Sequence, residues 1–133
     1  MAKELIITFV DGIYGFEDLK EFVFYKRSED ESDPFTIMQS TKDPSVNFIV
    51  IPPFLINNEY EIELDSSDIE ELQIEEEKEV MVLSIVTVPK GGNYLSVNLK
   101  SPIVFSIKSK LGKQIILEKS DYEIRHKVMF GDK

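Results

Sequence analysis

The sequence contains no cysteine, no tryptophan and only one histidine, His126. The absence of thiols excludes disulfide bonds, zinc–thiolate sites, iron–sulfur clusters and cysteine nucleophiles, and one imidazole leaves the usual zinc sites without partner ligands. No segment approaches the roughly 20 apolar residues of a membrane-spanning helix, and the N-terminal apolar run is too short for a signal peptide. We therefore expect a cytoplasmic protein with no metal, no cofactor and no membrane contact.

Positive charge is also scarce, because 15 basic side chains face 25 acidic ones and give a net charge of −10. Such a chain repels phosphate backbones and anionic lipids, so we expect no direct binding to nucleic acid. The excess is concentrated in residues 57–79, where Lys78 is the only cation among the acidic side chains. This acidic segment is either a solvated face or a docking surface for a basic protein.

Period-two alternation of apolar and polar residues runs through most of the chain and is typical of strands. Glu59–Leu64 is the clearest instance, with Tyr60, Ile62 and Leu64 predicted to be buried and three glutamates predicted to face solvent. About nine short strands joined by tight turns predict an all-β, mostly antiparallel barrel or sandwich. With no internal repeat or composition break, residues 1–133 are predicted to form a single domain.

Local signals refine this prediction at three places. Ser67, followed by Glu70 three residues later, predicts a capped start for one short helix near residues 67–72. Gly112 predicts a tight turn at residues 110–113. Between them, alternation predicts that Ile103 and Phe105 point inward while Val104 and Ser106 point outward.

The residues offer little for catalysis. Glu59, Glu61 and Glu63 would lie about 6.5–7 Å apart along one strand face, a separation also found between paired glycosidase carboxylates. Exposed acids lack the burial that would raise the pKa of one of them, so we predict no catalytic residues and no enzyme. An acidic interaction scaffold and a small β-barrel hydrolase remain as alternatives.

An ordered series of segments resembles one known family. The segments are Gly12–Leu19, Pro34–Ser40, Tyr60–Leu64, Leu83–Pro89, Ser96–Val104, Gln114–Leu117 and Tyr122–His126. Together they cover nearly the whole chain, and the sequence Val-Asn-Leu-Lys-Ser-Pro-Ile at residues 97–103 is the most specific. On these residues the chain resembles the flagellar assembly factor FliW family.

The resemblance implies a function that composition and spacing do not. It implies binding to CsrA, an RNA-binding translational repressor, with relief of repression of flagellin synthesis. It also implies that flagellin binds the same protein and thereby releases the repressor, so that the protein acts as a partner switch. Separately, we expect the free protein to be a monomer.

Two surfaces are predicted for these partners. The charge concentration predicts a repressor surface at Glu59, Glu61, Glu63, Glu70 and Glu71. The flagellin surface is predicted from an apolar loop that follows two prolines and from the outward positions of a strand in the family-like segment. Its residues are Phe54, Leu55, Tyr94, Ser96 and Asn98.

Overall fold

A computed structural model describes residues 5–91 and 93–129 as short strands with one short helix. The strands in this part of the chain are β1 (Leu5–Phe9), β2 (Glu21–Lys26), β3 (Thr36–Ser40), β4 (Asn47–Ile51), β5 (Val80–Thr87), β6 (Tyr94–Val97), β7 (Ile103–Ser106), β8 (Leu111–Gln114) and β9 (His126–Met129). The helix α1 spans Ser66–Glu71, and 3₁₀ turns span Pro53–Leu55 and Glu77–Glu79. The all-β prediction, with about nine strands and a helix near residue 67, is confirmed.

Seven strands close into a barrel. Their order is β4-β3-β2-β1-β8-β7-β5, and β5 pairs back with β4. Neighbours are antiparallel except for β1 and β8, which are parallel. The remaining two strands, β6 and β9, extend from β5 outside the ring. Barrel closure leaves fewer open strand edges than a sandwich would.

Alternate residues of the barrel strands fill its interior. Phe9, Phe22 and Phe105 are at most 1% exposed. The rings of Phe9 and Phe22 meet edge to face at 5.7 Å between centroids, and those of Phe24 and Phe105 are 5.0 Å apart. Burial of such large aromatic side chains dominates the stability of a core of this size.

A second apolar layer covers the outer face of β7. Leu72 follows α1 and packs on Val104 and Ile115. The prediction that Val104 and Ser106 face solvent is therefore wrong, since both are fully buried. The Ser106 hydroxyl donates to the Glu79 carboxylate at 2.8 Å, which lowers the pKa of Glu79. With a layer on each face, β7 is buried at both parities.

The prediction of a strand at Glu59–Leu64 is wrong. Glu59 lies in a turn, and Tyr60–Leu64 has no regular secondary structure and belongs to no strand ladder, although burial alternates as predicted, with Tyr60 buried and Glu61 exposed. Two phenols hold it instead. The Tyr60 hydroxyl donates to the Leu99 carbonyl at 2.7 Å, and the Glu61 amide donates to the Tyr122 hydroxyl at 2.9 Å. Burial raises the pKa of Tyr60.

Two local predictions also need correction. The N-cap of α1 is Asp65, whose carboxylate accepts from the Asp68 amide at 2.9 Å and from the Ser67 hydroxyl at 2.7 Å. The bond from the Asp68 amide lowers the pKa of Asp65. Aspartate and serine side chains both accept hydrogen bonds at a helix N-cap, so the sequence was compatible with a helix that begins after either residue. The turn predicted at residues 110–113 lies earlier, at residues 107–109, because Gly112 is part of β8.

Candidate functional site

An open groove of about 880 Å³ runs between the acidic segment and β5. We call it the acidic groove. Its apolar lining includes Phe54, Ile62, Leu64, Ile69, Ile74 and Met81. Four carboxylates complete the lining: Glu61, Glu75, Glu76 and Glu77. An apolar concavity with charged groups along it is the usual form of a binding site.

Three large apolar side chains in this groove are exposed to solvent. The exposed fractions are 45% for Phe54, 40% for Ile69 and 40% for Met81. Phe54 is placed by the two prolines at 52 and 53, which end β4 and begin the first 3₁₀ turn. Its ring leans edge to face on Tyr60 at 5.7 Å. Exposed apolar groups that share one concavity indicate a surface for a protein partner.

Lys113 fastens α1 beside the groove. Its ammonium group lies 2.6 Å from the Glu71 carboxylate and 2.9 Å from the Asp68 carboxylate. These bonds, the stronger from Glu71, raise the pKa of Lys113. The carboxylate of Glu71 is therefore engaged within the protein and is less available to a partner than an unpaired acid.

The predicted repressor residues lie before α1 and at its end. All five (Glu59, Glu61, Glu63, Glu70 and Glu71) are exposed. Only Glu61 lines the acidic groove itself. Sequence reasoning left out Glu75, Glu76 and Glu77, which also line it, although the charge count over residues 57–79 already included them.

A second, more polar hollow lies over β6 and β9. Its lining includes Thr87, Tyr94, Ser96, Asn98, Arg125 and Lys127. The Lys127 ammonium group sits 4.6 Å from the centre of the Tyr94 ring, a cation–π contact. We call this the basic hollow because its charged groups are cations, unlike those of the acidic groove.

The predicted flagellin residues are divided between the two places. Tyr94, Ser96 and Asn98 line the basic hollow, whereas Phe54 lines the acidic groove. Leu55 is 64% exposed beside Phe54. The Asn98 side chain also has a structural task, since its carbonyl oxygen accepts from the amides of Lys100 and Ser101 at 3.1 and 2.9 Å. Replacing Asn98 would therefore disturb the turn as well as the surface.

Within residues 5–91 and 93–129, no group of three Asp, Glu or His side chains is arranged to hold a metal ion. The helices in the same part of the chain are too short and too polar to cross a membrane. His126, at the start of β9, is half-buried, and its Nδ1 lies 3.9 Å from the Glu123 carboxylate.

Comparison with known proteins gives one consistent result. A family model described as FliW protein matches residues 1–128. The flagellar assembly factor FliW of Clostridium novyi is 44% identical over 124 residues, which cover 93% of this chain and 85% of that protein. The corresponding protein of Clostridium botulinum strain Alaska E43 is 42% identical over 120 residues, covering 90% and 84%.

A solved structure gives the same result for the fold. The crystal structure of a flagellar assembly factor FliW superposes with a TM-score of 0.83 at 38% sequence identity. The match covers 96% of this chain and 87% of that one.

Proposed function

Because this chain belongs to the FliW family of flagellar assembly factors, we propose that it acts in the cytoplasm by binding a CsrA-type RNA-binding repressor. Bound in this way, the repressor no longer blocks synthesis of flagellin. Flagellin is the second partner, and its binding returns the repressor to its RNA. The protein thereby couples flagellin synthesis to the amount of free flagellin.

The observation that carries this proposal is the acidic surface around the groove. Glu59, Glu61 and Glu63 are exposed in succession, and the whole chain carries a net charge of −10. A protein that binds RNA through basic residues meets a complementary field here. Complementary fields chiefly raise the association rate and favour the right partner.

The basic hollow is the surface that we propose for flagellin, separate from the acidic groove. It presents the Tyr94 ring, the Ser96 hydroxyl and the cations Arg125 and Lys127, so it can recognise a partner with acidic and hydrogen-bonding groups. Because the two surfaces have opposite charge, the acidic groove attracts a basic partner and the basic hollow repels it, and the reverse holds for an acidic partner.

The proposal is tested by titration calorimetry of the protein with purified repressor, with and without flagellin. We expect submicromolar binding to the repressor and its loss when flagellin is present in excess. If the heat of binding to the repressor is the same with and without flagellin, the switch is refuted and the acidic scaffold remains as the alternative. No heat with either protein at low salt would refute the whole proposal.

Charge reversal at Glu61 and Glu63 is expected to slow repressor association. In the double variant Glu61→Lys and Glu63→Lys, both exposed carboxylates become cations, so the attractive field weakens locally. We expect an association rate at least about tenfold lower at low salt, with a shallower dependence on ionic strength. Stopped-flow mixing over a range of salt concentrations measures both.

The matched control is Glu29→Lys with Glu31→Lys, which makes the same charge change at exposed positions of the β2–β3 loop. Glu71 is left intact because its bond to Lys113 fastens α1. Equal slowing in both double variants would mean that net charge alone acts. Unchanged rates in the first would remove the acidic segment from the repressor site.

Truncation in the basic hollow is expected to weaken flagellin binding and to spare the repressor. The variant Tyr94→Ala with Ser96→Ala removes the ring under Lys127 and one hydroxyl. Loss of an aromatic anchor at an interface typically costs about 2 kcal/mol, or roughly thirtyfold in affinity. Calorimetry with each partner measures the effect, and Tyr14→Ala, at a tyrosine that is 53% exposed outside the hollow, is the control. Unchanged flagellin affinity in the double variant would exclude this surface.

A further inference from the structure

One edge of β5 is only half paired. Along its first edge, β7 pairs with Val80–Leu83 and β6 pairs with Val86 and Thr87. Along the opposite edge, β4 pairs with residues 84–86 alone. Val86 pairs with both Ile49 and Val97, so β4 and β6 lie on opposite edges. The Glu79 carbonyl accepts from the Ile107 amide after β7, and the Ile85 carbonyl accepts from the Asn98 amide after β6. Residues 79 and 85 have the same parity and face the same edge, so β7 lies on the β6 edge. Among the residues that the structure describes, no strand pairs with Val80–Leu83 on the β4 side.

The gap has a cause in the sequence. Ile51, the last residue of β4, pairs with Ser84. Proline at positions 52 and 53 then turns the chain into a 3₁₀ turn, because proline cannot donate to a continuing ladder. The strand that would otherwise run on along β5 is therefore missing, and the acidic groove occupies its place, with Val80, Met81 and Val82 in its lining.

An antiparallel strand directs its amides and carbonyls alternately to its two edges. Met81 and Leu83 direct these groups to β7, so the groove side carries those of Val80 and Val82. The Val80 amide already donates to the Glu77 carbonyl. The Val80 carbonyl and both backbone groups of Val82 therefore face the groove without a strand partner. Such an edge is a template on which an extended segment of another chain can add by main-chain hydrogen bonds, with pockets for its alternate side chains. Met81 and Phe54 supply exposed apolar surface for those side chains.

The charge of the acidic groove determines which kind of partner segment it favours. The carboxylates of Glu61 and Glu77 lie along the groove and are exposed, whereas the Glu76 carboxylate is 3.5 Å from the Lys78 ammonium group. Among the residues that line the groove there is no Lys or Arg. We propose that the free edge of β5 at Val80–Leu83 takes up, as an added strand, a partner segment in which apolar residues alternate with Lys or Arg. This deepens the proposed function, on which it rests, by giving the form in which the basic partner enters the acidic surface.

The probe is a synthetic peptide of about six residues, a usual strand length, in which valine and lysine alternate. We expect it to bind the full chain and to shift the NMR amide signals of Val80–Leu83. N-methylation of alternate peptide amides should weaken binding at least about tenfold, because those amides lose their hydrogen bonds to the edge. A peptide with glutamate in place of lysine should not bind.

A pair of matched variants tests the same edge from the side of the protein. Met81→Lys places a cation in the groove at a side chain that is 40% exposed, and Ile107→Lys does so at one that is 43% exposed outside the groove lining. We expect about tenfold weaker peptide binding for the first and no change for the second. Equal binding by both variants, or an N-methylated peptide that binds as tightly as its parent, would overturn the proposal.

Two further outcomes separate this inference from the proposed function. If the intact repressor binds but leaves the signals of Val80–Leu83 unmoved, the added strand is refuted and the repressor function stands. If the peptide adds to the edge but the repressor does not bind, the edge stands and the repressor function is refuted. A Val82 amide that already resists hydrogen exchange in the free protein would mean that the chain's own end or a second copy fills the site, which also overturns the proposal.

Discussion

Replacing Phe105 with alanine is expected to lower the free energy of unfolding by about 3–5 kcal/mol. Phe105 lies on β7 in the barrel wall, is 1% exposed and packs on Phe24 with ring centroids 5.0 Å apart. Truncation removes its apolar burial and leaves a cavity that a closed ring of strands cannot collapse to fill. Urea unfolding followed by tyrosine fluorescence measures the loss as a lower midpoint at an unchanged slope.

Phe54→Ala is the control for this change. The same side chain is removed, but Phe54 is 45% exposed and leans on Tyr60 over the acidic groove. We expect a loss of about 1 kcal/mol, since only part of the ring is buried. A loss as large as that of Phe105→Ala would mean that the groove lining is part of the core and not a free surface. A small loss makes Phe54→Ala a folded variant for binding experiments.

The strand content was predictable because barrel residues obey one simple pattern. On β1, Ile7 and Phe9 point inward while Ile6 and Thr8 point out, and side chains of a strand alternate in this way whatever its partners are. The choice between barrel and sandwich was not predictable. It depends on the pairing of β4 with β5 and of β1 with β8, which are contacts between segments far apart in the sequence.

The segment Glu59–Leu64 shows where the same pattern misleads. Burial alternates because Tyr60, Ile62 and Leu64 pack on the outer layers of the barrel. Period-two burial therefore reports one covered face, and it does not require a neighbouring strand. The hydrogen bonds come from the hydroxyls of Tyr60 and Tyr122, and no local signal in the sequence distinguishes them from a ladder.

The candidate site was predictable in its charge and not in its shape. Counting acids located residues 57–79, because charge is a property of composition. The groove arises because β4 stops at Ile51 while β5 begins at Val80, and this offset is set by the register of Ile51 with Ser84. Phe54 and Met81 meet in one lining only after that register is known.

Replacing Gly12 with alanine is expected to destabilise the protein by about 2–4 kcal/mol. Gly12 has φ +70°, and a Cβ there would lie 2.6 Å from the Glu17 carbonyl oxygen and 2.7 Å from its Cα. Those are backbone atoms, so relief requires moving the loop that follows. That loop includes Ile13, which is 1% exposed and packs in the barrel core. Differential scanning calorimetry and urea unfolding measure the loss.

The variant Gly15→Ala separates the two contributions to the loss of stability in Gly12→Ala, which are the backbone conformation and the contact with Glu17. Gly15 has φ +89°, but a Cβ added there meets nothing within 4 Å. Only the backbone conformation then opposes the methyl group, and we expect a loss of about 1–2 kcal/mol. The excess in Gly12→Ala therefore measures the contact with Glu17. Equal losses would mean that the loop moves aside without disturbing Ile13, and the bend between β1 and β2 would then be set by backbone conformation alone.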